Sequence, residues 1–217
     1  VLPEFFRDSD VSGKFICKGG RSMALKQKSL DLRRVYRLKV TLKGSKPPIW
    51  RRLEVPGDIT LAKLHQILQV AMGWTDSHLH SFKIGETYYQ EPAPDFYPEF
   101  SLAEAKDEKR FKLQQVAFRE KMKILYEYDF GDSWEHEILV EKILPMMEER
   151  RHPICLKGAG ACPPEDIGGV WGYYDFLEIM QDPKHPEHEN MVEWVGGHFD
   201  PDEFNLDEIN KQLRKIR

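Results

Sequence analysis

The stretch Tyr126 to His136, YEYDFGDSWEH, places two carboxylates, a Trp and a His within one alternating segment. Asp129 and Asp132 flank Phe130-Gly131. Two acids at that spacing could hold a divalent cation or share acid/base work. The same residues suit a tight turn, because Asp and Gly tolerate turn geometry and each Asp accepts backbone N–H bonds. Turn chemistry is the cheaper explanation. His136 follows Trp134 on the outgoing strand and shares its face. His78 and His80 lie two apart on another strand, a spacing that can offer two imidazoles to one metal. If the two strands are neighbours, His78, His80 and His136 could converge. The competing account has the imidazoles bridging polar groups in a mixed core.

A second segment, CLKGAGACPPEDIGG from Cys155 to Gly169, is dense in Gly, Pro and acid. Cys155 and Cys162 could bind zinc, but their spacing is wider than a Cys-x-x-Cys knuckle. Both could equally be small buried apolar side chains. Glu165 and Asp166 could line a polar pocket or cap the helix expected near Trp171, and capping is the simpler role. His185 and His188 flank Pro186 in an exposed-looking segment, and His198 sits in a turn. No phosphate-binding P-loop, dinucleotide fingerprint, His-Glu-x-x-His or Gly-x-Ser-x-Gly is present.

These groups need elements to hold them. Tyr36, Leu38, Val40 and Leu42 alternate with polar residues and predict a strand, paired through Gly44–Pro48 with a second strand over Ile49–Val55. Leu61, Leu64, Ile67, Leu68 and Ala71 recur at three and four, an amphipathic helix. Thr60 or Asp58 caps its start and Gly73 ends it. His78 to Ile84 reads as a strand. Residues 86 to 120 read mainly as loop, with a short helix over Ser101–Lys109. Met122–Phe130 and Trp134–Val140 form the clearest hairpin. Residues 145 to 170 read as irregular. Tyr173–Met180, Glu187–Val195 and Asn205–Ile216 read as helices.

The chain has 217 residues, 41% hydrophobic and 12% aromatic, enough for one good core. No run of about 18 apolar residues exists to span a bilayer. The start lacks the layout of a secretory signal, and three cysteines fit a reducing compartment, so a cytoplasmic protein is expected. Net charge is −4, unevenly spread. Residues 1–52 carry 14 Lys/Arg against 4 Asp/Glu, and the remainder 18 against 32. A basic end on an acidic body can contact nucleic acid, or the two halves can neutralise one another. The basic residues are dispersed, which favours the second account.

YEYDFGDSWEH, CPPEDIGG and LHQILQVAMGWTDSHLHSF together resemble the plasmid pRiA4b ORF-3-like protein family. So do YRLKVTLKGSKPPIWRRLEVP and WVGGHFDPDEFNLDEIN, and the resemblance runs from about Val35 to Lys215. It implies an α+β fold with a curved sheet and packed helices. It implies no established activity. Some look-alikes carry the label of a transposon resolvase, and some are fused to DNA-binding modules. Recombinase chemistry has no support here. Ser9, Ser12 and Ser22 lack the setting of a serine nucleophile, and no Arg-His-Arg-Tyr constellation can be assembled.

The expectation is therefore an α+β domain over residues 34–217, roll-like, with a mostly antiparallel or mixed sheet, helices on one face and a helical C-terminal part. Residues 1–33 form a basic appendage. The expected function is a cytoplasmic binding or interaction module. Nucleic-acid association and a metal-dependent enzyme are its alternatives. The candidate surface comprises Asp129, Asp132, Trp134, His136, His78, His80, Cys162, Glu165 and Asp166. No catalytic residue, metal or cofactor is assigned, and the partner is unknown. The surface requires that the segment around position 130 meets the proline-bearing stretch near 163.

Overall fold

The computed structural model describes residues 34–92, 104–145 and 152–216. These belong to the unit Asp31–Arg217. The appendage expected over residues 1–33, and Cys17 with it, lies outside the described residues.

Period-two alternation produces the sheet. In β1 (Arg34–Leu42), Tyr36, Leu38, Val40 and Leu42 are buried. In β6 (Lys123–Tyr128) and β7 (Trp134–Pro145), the buried set is Ile124, Tyr126, Tyr128, Trp134, His136, Ile138 and Val140. The opposite face is charged and laced by ion pairs, including Arg37–Glu54, Lys123–Glu137 and a two-pronged Arg52–Glu141 contact. One face is thus apolar and covered, the other wet, as an antiparallel sheet allows.

The remaining strands are β2 (Trp50–Pro56), β3 (His80–Ile84), β4 (Thr87–Gln90), β5 (Lys106–Asp107) and β8 (Ile154–Ala159). They assemble in the order β5-β4-β3-β6-β7-β1-β2-β8. Every pairing is antiparallel except β4 with β5, so the sheet is mixed and open. Glu141 of β7 and Leu156 of β8 are extra residues at bulges, which add twist. The expected α+β class is the one observed.

Helix α1 (Leu61–Met72) is capped by the Thr60 hydroxyl, which accepts from Lys63 N at 3.2 Å. It ends at Gly73 with φ +112°, a left-handed position that glycine takes without strain. Its Leu61, Leu64, Ile67 and Leu68 join the buried core with the β1, β6 and β7 side chains. After the four-residue α2 (Leu113–Val116), three helices form the C-terminal part: α3 (Gly169–Gln181), α4 (His188–Val195) and α5 (Leu206–Leu213).

Three expectations need correction. Residues 145–170 are not wholly irregular: β8 adds an edge strand to β2, which ladder bonding stabilises despite the local glycines. Strand β4 occupies part of the stretch that reads as loop. The Ser101–Lys109 helix is absent over its described part, which holds β5 and a 3₁₀ turn at Glu108–Arg110.

Arg51 ties the edge of this frame together. It lies on the buried side of β2 and is 2% exposed. Its guanidinium donates to Ala71 O at 2.8 Å and to Trp50, Ala159 and Gly160 O at 2.9 Å each. Phe204 stacks beneath it at 4.9 Å. The end of α1, β8 and the start of the following loop are thereby joined by one cation. Arg51→Met should lower unfolding free energy by about 3 kcal/mol, since buried carbonyls lose a charged donor. Urea denaturation measures it.

Candidate functional site

Two segments without regular structure run side by side. One is Gly73–Leu79, between α1 and β3; the other is Cys162–Gly168, between β8 and α3. Their contacts advance in step. Gly73 faces Cys162. The Trp74 indole N–H donates to Pro163 O at 3.1 Å. Thr75 donates to Glu165 through its backbone, at 3.3 Å, and through its hydroxyl. His78 Nε2 lies 3.1 Å from Asp166 Oδ1.

The β6–β7 hairpin tip closes the third side. Gly168 N donates to Asp132 Oδ2 at 3.1 Å. A Cβ on Gly169, at φ +69°, would lie 2.3 Å from Asp132 O. Backbone therefore meets backbone there, and only glycine fits. The segment around position 130 does meet the stretch near 163. Gly169→Ala should destabilise the chain by about 3 kcal/mol, combining a clash with a disfavoured φ; a denaturant titration checks it.

Asp129 presents its two oxygens to different sides. Its Oδ1 accepts from Gly131 N at 2.9 Å and Asp132 N at 3.3 Å, which is the expected turn chemistry. Its Oδ2 lies on the other side, 3.7 Å from His78 Nδ1. Asp129 and Asp166 both have φ +58°, a region that non-glycine residues seldom enter. Among the described residues, His78, Asp129 and Asp166 are the one group of three or more His, Cys, Asp or Glu whose ligand atoms all lie within 4.8 Å.

Glu165 sits behind this group. Burial pushes its carboxyl up, but hydrogen bonds from Thr75 and from the Tyr128 hydroxyl outweigh that and hold it below the usual carboxylate range. Tyr128 is raised by burial and by the Glu165 bond, so it remains a neutral donor.

Beside the tip opens a cavity of about 460 Å³. Two stacked imidazoles form part of its wall: His65 and His80 lie 3.4 Å apart and 1° from parallel. His80 Nε2 contacts Glu108 at 2.8 Å, an acid that is 2% exposed. His65 Nε2 contacts Asp76 at 2.6 Å and its Nδ1 contacts the Tyr126 hydroxyl at 2.9 Å. Gln69 donates to the same hydroxyl at 2.9 Å and accepts from Asp76 N at 3.0 Å. Burial lowers the His65 pKa, and the neighbouring His80 lowers it further. Two rings at this spacing resist carrying charge together.

The candidate residues thus divide. Asp129, Asp132, His78, Glu165 and Asp166 gather around the tip. His80 lines the adjacent cavity with His65. Trp134 and His136 are fully buried behind both. His78, His80 and His136 do not share one ligand position. His136 packs edge-on to Trp74 at 5.2 Å, and neither of its ring nitrogens has a well-formed hydrogen bond. Cys155 and Cys162 are unpaired thiols, each raised by burial, and neither joins the His78 group. His65, Asp76 and Glu108 escaped sequence reading: His65 is hidden in an apolar helical repeat, and Glu108 in a charged stretch with no period. The one available signal was Thr75-Asp76-Ser77-His78, four polar residues between a helix-ending glycine and a strand.

Burial lowers the His136 pKa from 6.5 to about 4, with only weak opposition from the Trp134 and Tyr126 backbone. Above pH 6.5 the ring is neutral in folded and unfolded chains alike, and its contribution is complete. As pH falls from there toward about 4, the unfolded chain takes up a proton that the folded one refuses, so stability drains away. The loss is on the order of 3 kcal/mol. His136→Leu should remove most of that decline, while changing stability at pH 8 by no more than about 1 kcal/mol. Urea midpoints across pH 4–8 test this.

The comparisons with known proteins agree with this frame. The chain is 39% identical over 180 residues to the uncharacterized protein y4hQ of Sinorhizobium fredii (strain NBRC 101917 / NGR234), covering 82% of this chain and 90% of that one. It is similar to the crystal structure of a protein of unknown function, MM3350, from Methanosarcina mazei Go1. There the TM-score is 0.70 at 38% identity, covering 82% of this chain and 97% of the other. The family model described as plasmid pRiA4b ORF-3-like protein matches residues 34–208, and the chain belongs to that family.

Proposed function

We propose that the chain is a binding module for a small polar ligand bearing positive charge, seated in the cavity beside the hairpin tip. One observation carries this: three histidines and three carboxylates, His65, Asp76, His78, His80, Glu91 and Glu108, line the same 460 Å³ space. Lys109 also lines it but is paired with Glu91, so its charge is already matched. The carboxylates of Asp76 and Glu108 give the wall an acidic character that favours a cation.

A larger cavity of about 600 Å³ lies between the Lys46–Ile49 turn and α3. Its Tyr173 hydroxyl is raised to about 12 by burial, and its walls hold Lys46, Glu178 and Asp202 but no histidine, so it is the weaker candidate. Nucleic-acid association has less support within the described residues. Arg37, Lys43 and Arg52 are paired with Glu54, Glu135 and Glu141, and Arg51 is spent on carbonyls. A cytoplasmic location draws support from the free thiols of Cys155 and Cys162. No helix among the described residues is long and apolar enough to cross a membrane.

The test is NMR of the full chain with labelled histidine, titrated with spermidine and agmatine, and separately with citrate. The His65 and His80 ring signals should move with the amines and stay with citrate. Asp76→Asn, which keeps the left-handed backbone at φ +61°, should weaken the amine response. A response confined to other histidines, or an equal one to citrate, overturns the reading.

A further inference from the structure

We propose that His78, Asp129 and Asp166 form a binding site for a first-row divalent cation at the rim of the cavity. Its purpose rests on the cleft reading above, while its geometry stands alone.

The three residues come from three separate segments: the loop before β3, the β6–β7 tip and the loop before α3. One imidazole nitrogen with two carboxylate oxygens is a donor set suited to zinc or manganese. All three ligand atoms lie within 4.8 Å of one another, close enough that small side-chain shifts would bring them to the about 2.0–2.2 Å bond length of one ion.

Hydrogen bonding alone leaves this group unexplained. His78 Nε2 is shielded from solvent yet makes no hydrogen bond, although the Asp166 oxygen is 3.1 Å away. The distance would allow a bond; the direction does not. Nδ1 is 3.7 Å from Asp129 Oδ2, too far to donate. The imidazole therefore lies between two carboxylates and is bonded to neither. A cation held by one imidazole nitrogen and one oxygen from each carboxylate would give all three groups a partner. Asp129 can take this part without loss to the turn, because the turn uses Oδ1 and the site uses Oδ2. Three protein ligands would leave coordination positions open, where a bound ion could meet a ligand or polarise a water.

The deciding experiment is calorimetric titration of the full chain, made without an affinity tag and stripped with chelator, using zinc and then manganese chloride. One equivalent should bind. Asp129→Asn and Asp166→Asn should each weaken binding by about ten-fold or more. Both variants keep a residue that tolerates φ +58°, and the amide introduced at position 129 can still offer its carbonyl oxygen to the turn. Their melting curves should therefore stay close to the parent. His185→Ala with His188→Ala, on the exposed segment, should leave binding unchanged. Absence of stoichiometric binding sinks the proposal. So does binding that survives in Asp129→Asn and Asp166→Asn but disappears with His185 and His188. The spermidine response of His65 and His80, recorded without metal, separates the two readings. If it persists while metal binding fails, the cleft stands and the cation site falls.

Discussion

The loop Cys162–Gly168 has no ladder of its own, and its fixed position depends on what replaces one. The replacement is a row of contacts from Gly73–His78: an indole to Pro163 O, a threonine to Glu165, an imidazole against Asp166. The closing contact is Gly169 against the Asp132 carbonyl, where no side chain can enter. Without that approach, the hairpin tip and the loop would part. Asp129 and Asp166 would no longer face the same imidazole.

A rigid platform stands behind this loop. Trp74, Tyr128 and Trp134 pack ring to ring, with centroids 5.0 Å and 5.8 Å apart from Trp74. Beneath them His136 is held neutral in an apolar setting. Arg51 secures the far end, joining Ala71 to Ala159 and Gly160. A binding group on a loop is only as well placed as the scaffold beneath it. Here aromatic packing and one buried guanidinium supply that scaffold, with the polar groups left at its edge.

Polar chemistry is layered by exposure. Nearest the core, His65, His80, Tyr126 and Glu108 satisfy one another in a stacked and bonded network. Farther out, Asp166 is 70% exposed and His78 26%. The inner network resists change because each member would strand a partner. The outer group has no such closure, so a metal ion could add contacts there without breaking any.

Much of this was legible in the chain. Local periodicity determined β1, β2, α1, β6, β7 and α5, because each turns one apolar face to the core and writes that face into its own spacing. Thr60, Gly73 and the Asp129 turn were readable for the same reason: their partners lie within a few residues. The family was also legible, in long motifs taken in order. Tertiary structure alone decided which of those motifs touch. Asp166 meets His78 from a distant part of the chain, and Glu108 meets His80 from a stretch with no pattern at all. Periodicity reports the environment of a face, not the identity of the residue opposite. Hence Trp134 and His136, which read as surface chemistry, lie in the core, while His65, which reads as one more position of a helix, stands at the cavity wall.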